Sequence, residues 1–259
     1  MDWSYSAAGA LTGFVVGMTG VGGGALMTPL LLIVFGVAPV TAIATDLWFA
    51  TITKLVGAWF HQKAGQVDWQ VVRRLWLGSL PMAFGVVLWV AFTPGVEKLD
   101  WLNGAIGLVI LVTAVGLFFS GPLQRLARSR RLGKPAQFIH LQPLLTVTGG
   151  ALLGLAVALT SVGAGALGAV MLLYIYPLRM TPHKLVGTDL VHAIPLAAVA
   201  GIGYLFAGLV DFQMLVRLLI GSIPGVLVGT YVGRRMDPKW LKLALGCVLI
   251  LIGLKLLVN

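Results

Sequence analysis

The chain has 259 residues, of which 59% are hydrophobic and only 10% charged, with a formal net charge of +10. A soluble domain of this length would be wrapped in about 25% charged residues, so the composition excludes one and requires a surface that faces lipid. Nor does the basic excess mark a nucleic-acid-binding protein: lysines and arginines gather at the ends of apolar segments and in one central stretch, which is how membrane topology is set.

Eight apolar segments follow in chain order, about 5–36, 39–60, 70–93, 101–120, 142–177, 182–206, 212–233 and 239–257. Several reach or exceed the roughly 20 residues needed to cross a bilayer. The amino terminus, Met1-Asp2-Trp3-Ser4, lacks a basic n-region, so no cleavable signal peptide is expected. The first and fifth segments are too long for one ordinary span, and glycines interrupt each near its middle. Gly20-Val21-Gly22-Gly23-Gly24 interrupts the first, and Ser161-Val162-Gly163-Ala164-Gly165 the fifth. Glycine costs about 1 kcal/mol in a helix and permits turn geometry, so both are expected helix breaks.

The chain also says nearly the same thing twice. Thr45-Asp46-Leu47 returns as Thr188-Asp189-Leu190, Gly65-x-Val67-Asp68 as Gly208-x-Val210-Asp211, and Arg74 as Arg217. Gly78-Ser79-x-Pro81 returns as Gly221-Ser222-x-Pro224, and all these pairs share an offset of 143 residues. Upstream the offset is 141, matching Thr19-x-Val21-Gly22-x-Gly24-Ala25-Leu26 to Thr160-x-Val162-Gly163-x-Gly165-Ala166-Leu167. The expected organisation is a first transmembrane repeat over 1–120, a basic cytoplasmic linker over 121–141 and a second repeat over 142–259. A duplicated unit that keeps glycines, prolines and carboxylates in so apolar a chain points to a transporter.

Loop charge bears on the topology. The 121–141 stretch carries Arg125, Arg128, Arg130, Arg131 and Lys134, and the connections after the second, fifth and seventh segments are basic too. If all eight segments cross, two of these connections fall outside, against their charge. If the first and fifth are re-entrant hairpins, every strongly basic connection falls inside. Each half then has three true spans, an odd number, and the repeats are inverted. The expected fold is thus an all-α polytopic membrane protein of two four-segment repeats, inverted, each with one re-entrant hairpin. The other reading, long segments that cross with an unwound centre, stays open.

The half-helices beginning near Ala25 and Ala166 would present free amide groups and partial positive charge, which suit an anion. Successive glycine amides can form a nest around negative oxygens. The candidate anion-binding residues are therefore Gly22, Gly23, Gly24, Ala25, Ser161, Gly163, Ala164, Gly165 and Ala166, with Lys54, Ser79 and Ser222. Close helix packing is the competing role for glycine, and the better one for Gly9, Gly13 and Gly17 at four-residue spacing.

Ionisable residues inside spans are functional by default. Asp46 and Asp189, beside Thr45 and Thr188, are candidates for binding a coupling proton or cation, or for anchoring the hairpin. Lys54 lies two turns beyond Asp46, and its counterpart is Ala197, so the duplication is broken there. His192 is a candidate proton relay or a packed polar residue. Arg74 and Arg217 are candidates for gating or gathering anions, and Asp68 and Asp211 for helix caps. Pro81 and Pro224 would kink their helices and free the carbonyls of Leu77 and Ile220. The lone Cys247 rules out a disulfide within the chain, and four dispersed histidines show no metal-ligand spacing, so neither metal nor cofactor is expected.

The pattern Gly13-x-x-x-Gly17-x-x-Gly20-Val21-Gly22-Gly23-Gly24, then Pro29-x-Leu31, resembles the TauE/SafE sulfite exporter family, the TSUP transporters. The weaker copy around Ser161–Gly168 and the Thr-Asp-Leu repeats extend the resemblance over essentially the whole chain. It implies movement of sulfite or a small organosulfonate such as sulfoacetate across the bacterial inner membrane. The expected function is a secondary transporter of such an anion, working outward by alternating access, with proton or cation coupling and homo-oligomerisation both open. A passive anion channel and a coupled importer compete. An intramembrane enzyme does not fit, since there is no Gly-x-Ser-x-Gly elbow and no histidine cluster.

Overall fold

The computed structural model describes residues 3–19, 24–62, 67–93, 101–133, 135–233 and 238–258. These residues form ten helices in chain order: α1 Trp3–Thr19, α2 Gly24–Ile33, α3 Pro39–Gln62, α4 Trp69–Phe92 and α5 Trp101–Gly133, then α6 Pro135–Thr160, α7 Ala166–Ile175, α8 Pro182–Phe206, α9 Phe212–Gly233 and α10 Pro238–Val258. Five stretches among the described residues are long and apolar enough to cross a membrane: Trp69–Phe92, Gly104–Leu123, Ile139–Thr160, Lys184–Phe206 and Phe212–Val232. The protein is all-helical and polytopic.

Local chemistry sets the helix ends. Asp68 caps α4 by accepting from the Val71 N–H at 3.4 Å, and Asp211 caps α9 by accepting from the Met214 N–H at 2.9 Å. Both were expected as caps. Thr181 caps α8, with Pro182 supplying its first-turn φ. The basic 121–141 stretch, expected as a linker loop, is helical on both sides of residue 134, since α5 runs on to Gly133 and α6 starts at Pro135. Its arginines and leucines are good helix formers, which explains the difference.

The long first and fifth segments each divide into two helices that double back. In the second half, Thr160 ends α6, Ser161 adopts φ 58° and Gly163 φ 117°, and the chain reverses into α7. Met171 then lies against Gly149, and the Gln142 side-chain amide donates to the Ile175 carbonyl at 3.2 Å, so the hairpin ends where it began. In the first half, Tyr5 at the start of α1 stacks on Phe35 just beyond α2, with ring centroids 4.4 Å apart. Gly22 and Gly23, expected at that break, lie outside the described residues.

A contact between connections removes one topology. Arg179, between α7 and α8, ion-pairs with Asp68, between α3 and α4. Eight full crossings would put those two connections at opposite ends of the molecule.

Packing between the halves is reciprocal. α1 lies along α9, and α4 along α6. A Cβ on Gly9, Gly13 or Gly17 would run into the backbone of Leu218, Ser222 or Val226, so these glycines serve close approach. On α6, Gly150 and Gly154 meet the backbone of Leu75 and Ser79 in the same way. These are the α1–α9 contacts with the halves exchanged. Two hydrogen bonds are exchanged likewise: the Asp68 N–H donates to Thr188 Oγ1 at 3.0 Å, and the Asp211 N–H to Thr45 Oγ1 at 3.2 Å. An isologous pairing has this form. The start of α3 thus lies near the end of α8, and the start of α8 near the end of α3. The two helices run in opposite directions, and the Trp48 indole N–H donating to the Gly201 carbonyl at 3.0 Å ties them.

The core follows the same scheme. A central cluster draws Ile43 and Leu47 of α3 against Leu196 and Ala200 of α8, with Ile106 and Ile110 of α5. Two flanking clusters are counterparts, one holding Leu31, Met214 and Leu218, the other Leu172, Val71 and Leu75. The apolar window of α8 is 61% buried, against 33% for α4 and α9, which makes α8 a central helix. Leu77, Phe84, Ile220 and Leu227 stay exposed on the outer helices, as a lipid-facing surface requires. Pro81 and Pro224 are exposed too, so any kink they cause faces outward, away from the buried Ser79 and Ser222.

Candidate functional site: a buried charged cluster between the halves

Asp46 and Lys54 on α3 and Asp189 and His192 on α8 are each 3% exposed or less. Burying charged groups costs several kcal/mol apiece unless they are paired, so this cluster is the candidate functional site. Because α3 and α8 are antiparallel, Lys54 faces across to α8. Its field reaches both carboxylates, Asp189 and Asp46, although among the described residues it forms an ion pair with neither.

The two carboxylates are held differently. Asp46 Oδ2 accepts from Thr28 Oγ1 on α2 at 2.5 Å. The Thr28 N–H and the Ser161 hydroxyl also face this carboxylate, although Ser161 Oγ falls short of hydrogen-bond geometry and Oδ1 has no hydrogen bond. Asp46 is therefore bonded to the first half-helix and lies beside the break of the second half. Asp189 lies against Gly168 in the first turn of α7, where a Cβ would collide with Oδ1, and neither of its oxygens is hydrogen-bonded. The position corresponding to Thr28 is Ala169, which has no hydroxyl to offer.

Each half-helix thus starts beside a carboxylate from the helix that follows. The partial positive charge there already has an internal anion against it. Gly24 and Ala25 open α2, and Gly163, Ala164, Gly165 and Ala166 lead into α7, whose cap residue Gly165 provides no side-chain bond.

His192 Nε2 and Ser79 Oγ are 2.9 Å apart, while Nδ1 has no partner. The counterpart of His192 is Phe49, and Ser222, the counterpart of Ser79, is buried with an unpartnered hydroxyl. The structure therefore brings together Asp46, Lys54, Asp189, His192, Ser79 and Ser161. Thr45 and Thr188 stand beside the cluster, each accepting from the opposite half's capping aspartate.

The arginines lie elsewhere. Arg74 Nη1 donates to the Tyr176 hydroxyl at 3.1 Å, and that hydroxyl is 2.8 Å from Thr146 Oγ1. At Arg217, the backbone carbonyl accepts from Ser6 Oγ at 2.9 Å. Sequence reasoning missed Thr28, although its place one turn beyond the first break, on a half-helix whose start was read as suiting an anion, was a usable signal.

Long apolar helices, two broken hairpins and buried charges between duplicated halves define a polytopic membrane transporter. The family model for the sulfite exporter TauE/SafE matches residues 5–256, and the chain belongs to that family. It is similar to the probable membrane transporter protein YjnA of Bacillus subtilis, at 37% identity over 99% of this chain and 100% of that protein. It is also similar to the probable membrane transporter protein YdhB of the same organism, at 30% identity over 95% of this chain and 96% of the relative. A more distant archaeal relative, MJ0441 of Methanocaldococcus jannaschii, is a probable membrane transporter at 22% identity. No solved structure matches the chain.

Proposed function

We propose that this protein is a secondary transporter that carries a small sulfur-containing oxyanion, sulfite first, outward across the bacterial inner membrane by alternating access. The observation that carries the reading is the buried Lys54, whose field reaches two buried carboxylates, Asp46 bonded one turn into α2 and Asp189 against the first turn of α7. Whatever holds an internal carboxylate can also hold a small oxyanion of similar charge: an ammonium and two helix N-terminal ends. His192 and Ser79, paired with each other, and Ser161, facing Asp46, add polar groups to the cluster. The family to which the chain belongs bears the name of a sulfite exporter.

Direction follows from energetics. With the cell interior negative, each negative charge moving outward gains about 2.3 kcal/mol per 100 mV, so export needs no coupling. The antiparallel α3 and α8, the reciprocal contacts and the two hairpins support an inverted repeat whose halves rock about this cluster. On that arrangement the basic end, with Arg179 and Lys184, is cytoplasmic.

The test is a proteoliposome screen of sulfite, sulfoacetate, thiosulfate and sulfate, with wild type beside Lys54→Ala and Gly23→Leu. Saturable counterflow of a sulfur oxyanion, lost in Lys54→Ala with folding intact, is the expected result. Unsaturable flux without counterflow would instead make the protein a channel. Cysteine accessibility at residues 177–182 checks orientation, because labelling only from outside would overturn the cytoplasmic placement.

A further inference from the structure

The three buried charges of the cluster do not balance. With Asp46, Asp189 and Lys54 all ionised, the cluster carries one net negative charge before any substrate arrives. Adding an oxyanion would leave a single ammonium against three negative groups in a low-dielectric interior, which is strongly unfavourable. One of the carboxylates must yield its charge when the anion binds.

The structure distinguishes the two. Asp46 is fixed by the 2.5 Å bond from Thr28 and is faced by the Thr28 amide and the Ser161 hydroxyl. Asp189 is 2% exposed, and neither of its oxygens has a hydrogen bond. α3, α4, α6 and α7 all pack against α8. Among the described residues of these elements, Lys54 is the charged group whose field reaches Asp189, and His192 one turn along α8 is the nearby titratable group. Asp189 also occupies the first turn of α7, where an anion would lie.

We propose that Asp189, and not its counterpart Asp46, binds the proton that travels with the anion. In the empty transporter Asp189 is an internal substitute for the substrate, neutralising Lys54 and the start of α7. Protonation releases both to the incoming oxyanion; when the anion leaves, Asp189 gives up its proton and takes its place again. One proton therefore moves with each anion in the same direction. For a dianion the cycle still carries one net negative charge outward and the membrane potential favours export as above; for a monovalent anion it moves no net charge, and the anion's own gradient and the pH gradient set the direction. This inference rests on the transport reading above.

The experiment uses the full-length protein in liposomes with labelled sulfoacetate, ionised at both acid groups at pH 7, equal on the two sides. A one-unit pH step is imposed with the membrane potential clamped at zero. Wild type should concentrate the label on the alkaline side toward about tenfold, the limit for one proton per anion. Asp189→Asn should exchange label yet concentrate none; whatever label folded Asp46→Asn exchanges should still be concentrated, and exchange without concentration in Asp46→Asn overturns the assignment to Asp189. Exchange by wild type without concentration, or concentration persisting in Asp189→Asn, overturns the proposal. Concentration driven by a sodium step in place of the pH step overturns the proton. Absence of exchange of either sulfoacetate or sulfite by folded wild type sinks the transport reading itself, and this inference with it.

Discussion

Arg179 grips Asp68 with two nitrogens, Nε at 2.6 Å from Oδ2 and Nη2 at 2.8 Å from Oδ1. The Asp68 side chain is buried, the Arg179 side chain about 40% exposed, and Lys184 stands 3.3 Å away as a second cation. The same aspartate caps α4 and gives its N–H to Thr188, so one residue fixes the start of α4, the α7–α8 connection and α8 together. Asp68→Asn should cost about 2 kcal/mol, near the value of one hydrogen bond to a charged group, because the exposed partner regains water. Thermal unfolding of the purified protein in detergent, followed by tryptophan fluorescence, measures it.

Lys54 is the cation whose loss should cost most. Lys54→Met leaves two buried carboxylates without their common counter-charge, a penalty of about 3–5 kcal/mol. Adding Asp189→Asn should return part of that stability, so the two changes should be non-additive by about 1–3 kcal/mol. Strict additivity in melts of the single and double variants would mean that the two groups do not interact.

Glycines on one helix should differ sharply in tolerance. A Cβ at Gly78 would meet the backbone of Val147 and Ala151, whereas at Gly85, on the same helix, it would meet nothing. Gly78→Ala should destabilise by about 1–3 kcal/mol through overpacking. Gly85→Ala should be neutral or stabilising by up to about 1 kcal/mol, from helix propensity. Paired melting curves decide.

The second break carries its own contrast. Gly163, at φ 117°, sits where a side chain is strained, so Gly163→Val should lower stability by at least about 1 kcal/mol. Ser161, at φ 58°, already pays for a left-handed backbone, and Ser161→Gly relieves it. Ser161→Gly should therefore keep or raise stability while slowing anion flux, as it removes a hydroxyl facing Asp46. A fall in both would show that the hydroxyl is chiefly structural.

Much of this was legible in the residues. Glycine clusters in over-long segments marked both hairpins, aspartates after a glycine turn marked the caps of α4 and α9, and the Thr-Asp-Leu repeats marked the helices that carry the buried carboxylates. What stayed hidden depends on contacts between distant positions. Thr28 meets Asp46, Arg179 meets Asp68 and Ser79 meets His192 only after the hairpins have folded and the halves have packed. Periodicity reports which face of a helix is apolar, but not which helix will cover it. The helical run through 121–133 was missed for another reason, since charge was read as a loop signal where helix-forming residues carried it.

The exchange of partners between α1 and α9, and between α6 and α4, bears on how such a chain can arise. A polypeptide ending near residue 120 would leave α1 without its neighbour and α4 without α6, with two glycine-faced grooves bare. It would have little reason to fold by itself. Two identical copies of that shorter polypeptide, related by a two-fold axis, would complete one another as the halves do here. Once fused, the copies no longer had to stay alike, and Lys54 facing Ala197's helix, or Phe49 standing where the other copy has His192, is a division of labour that no pair of identical subunits could keep.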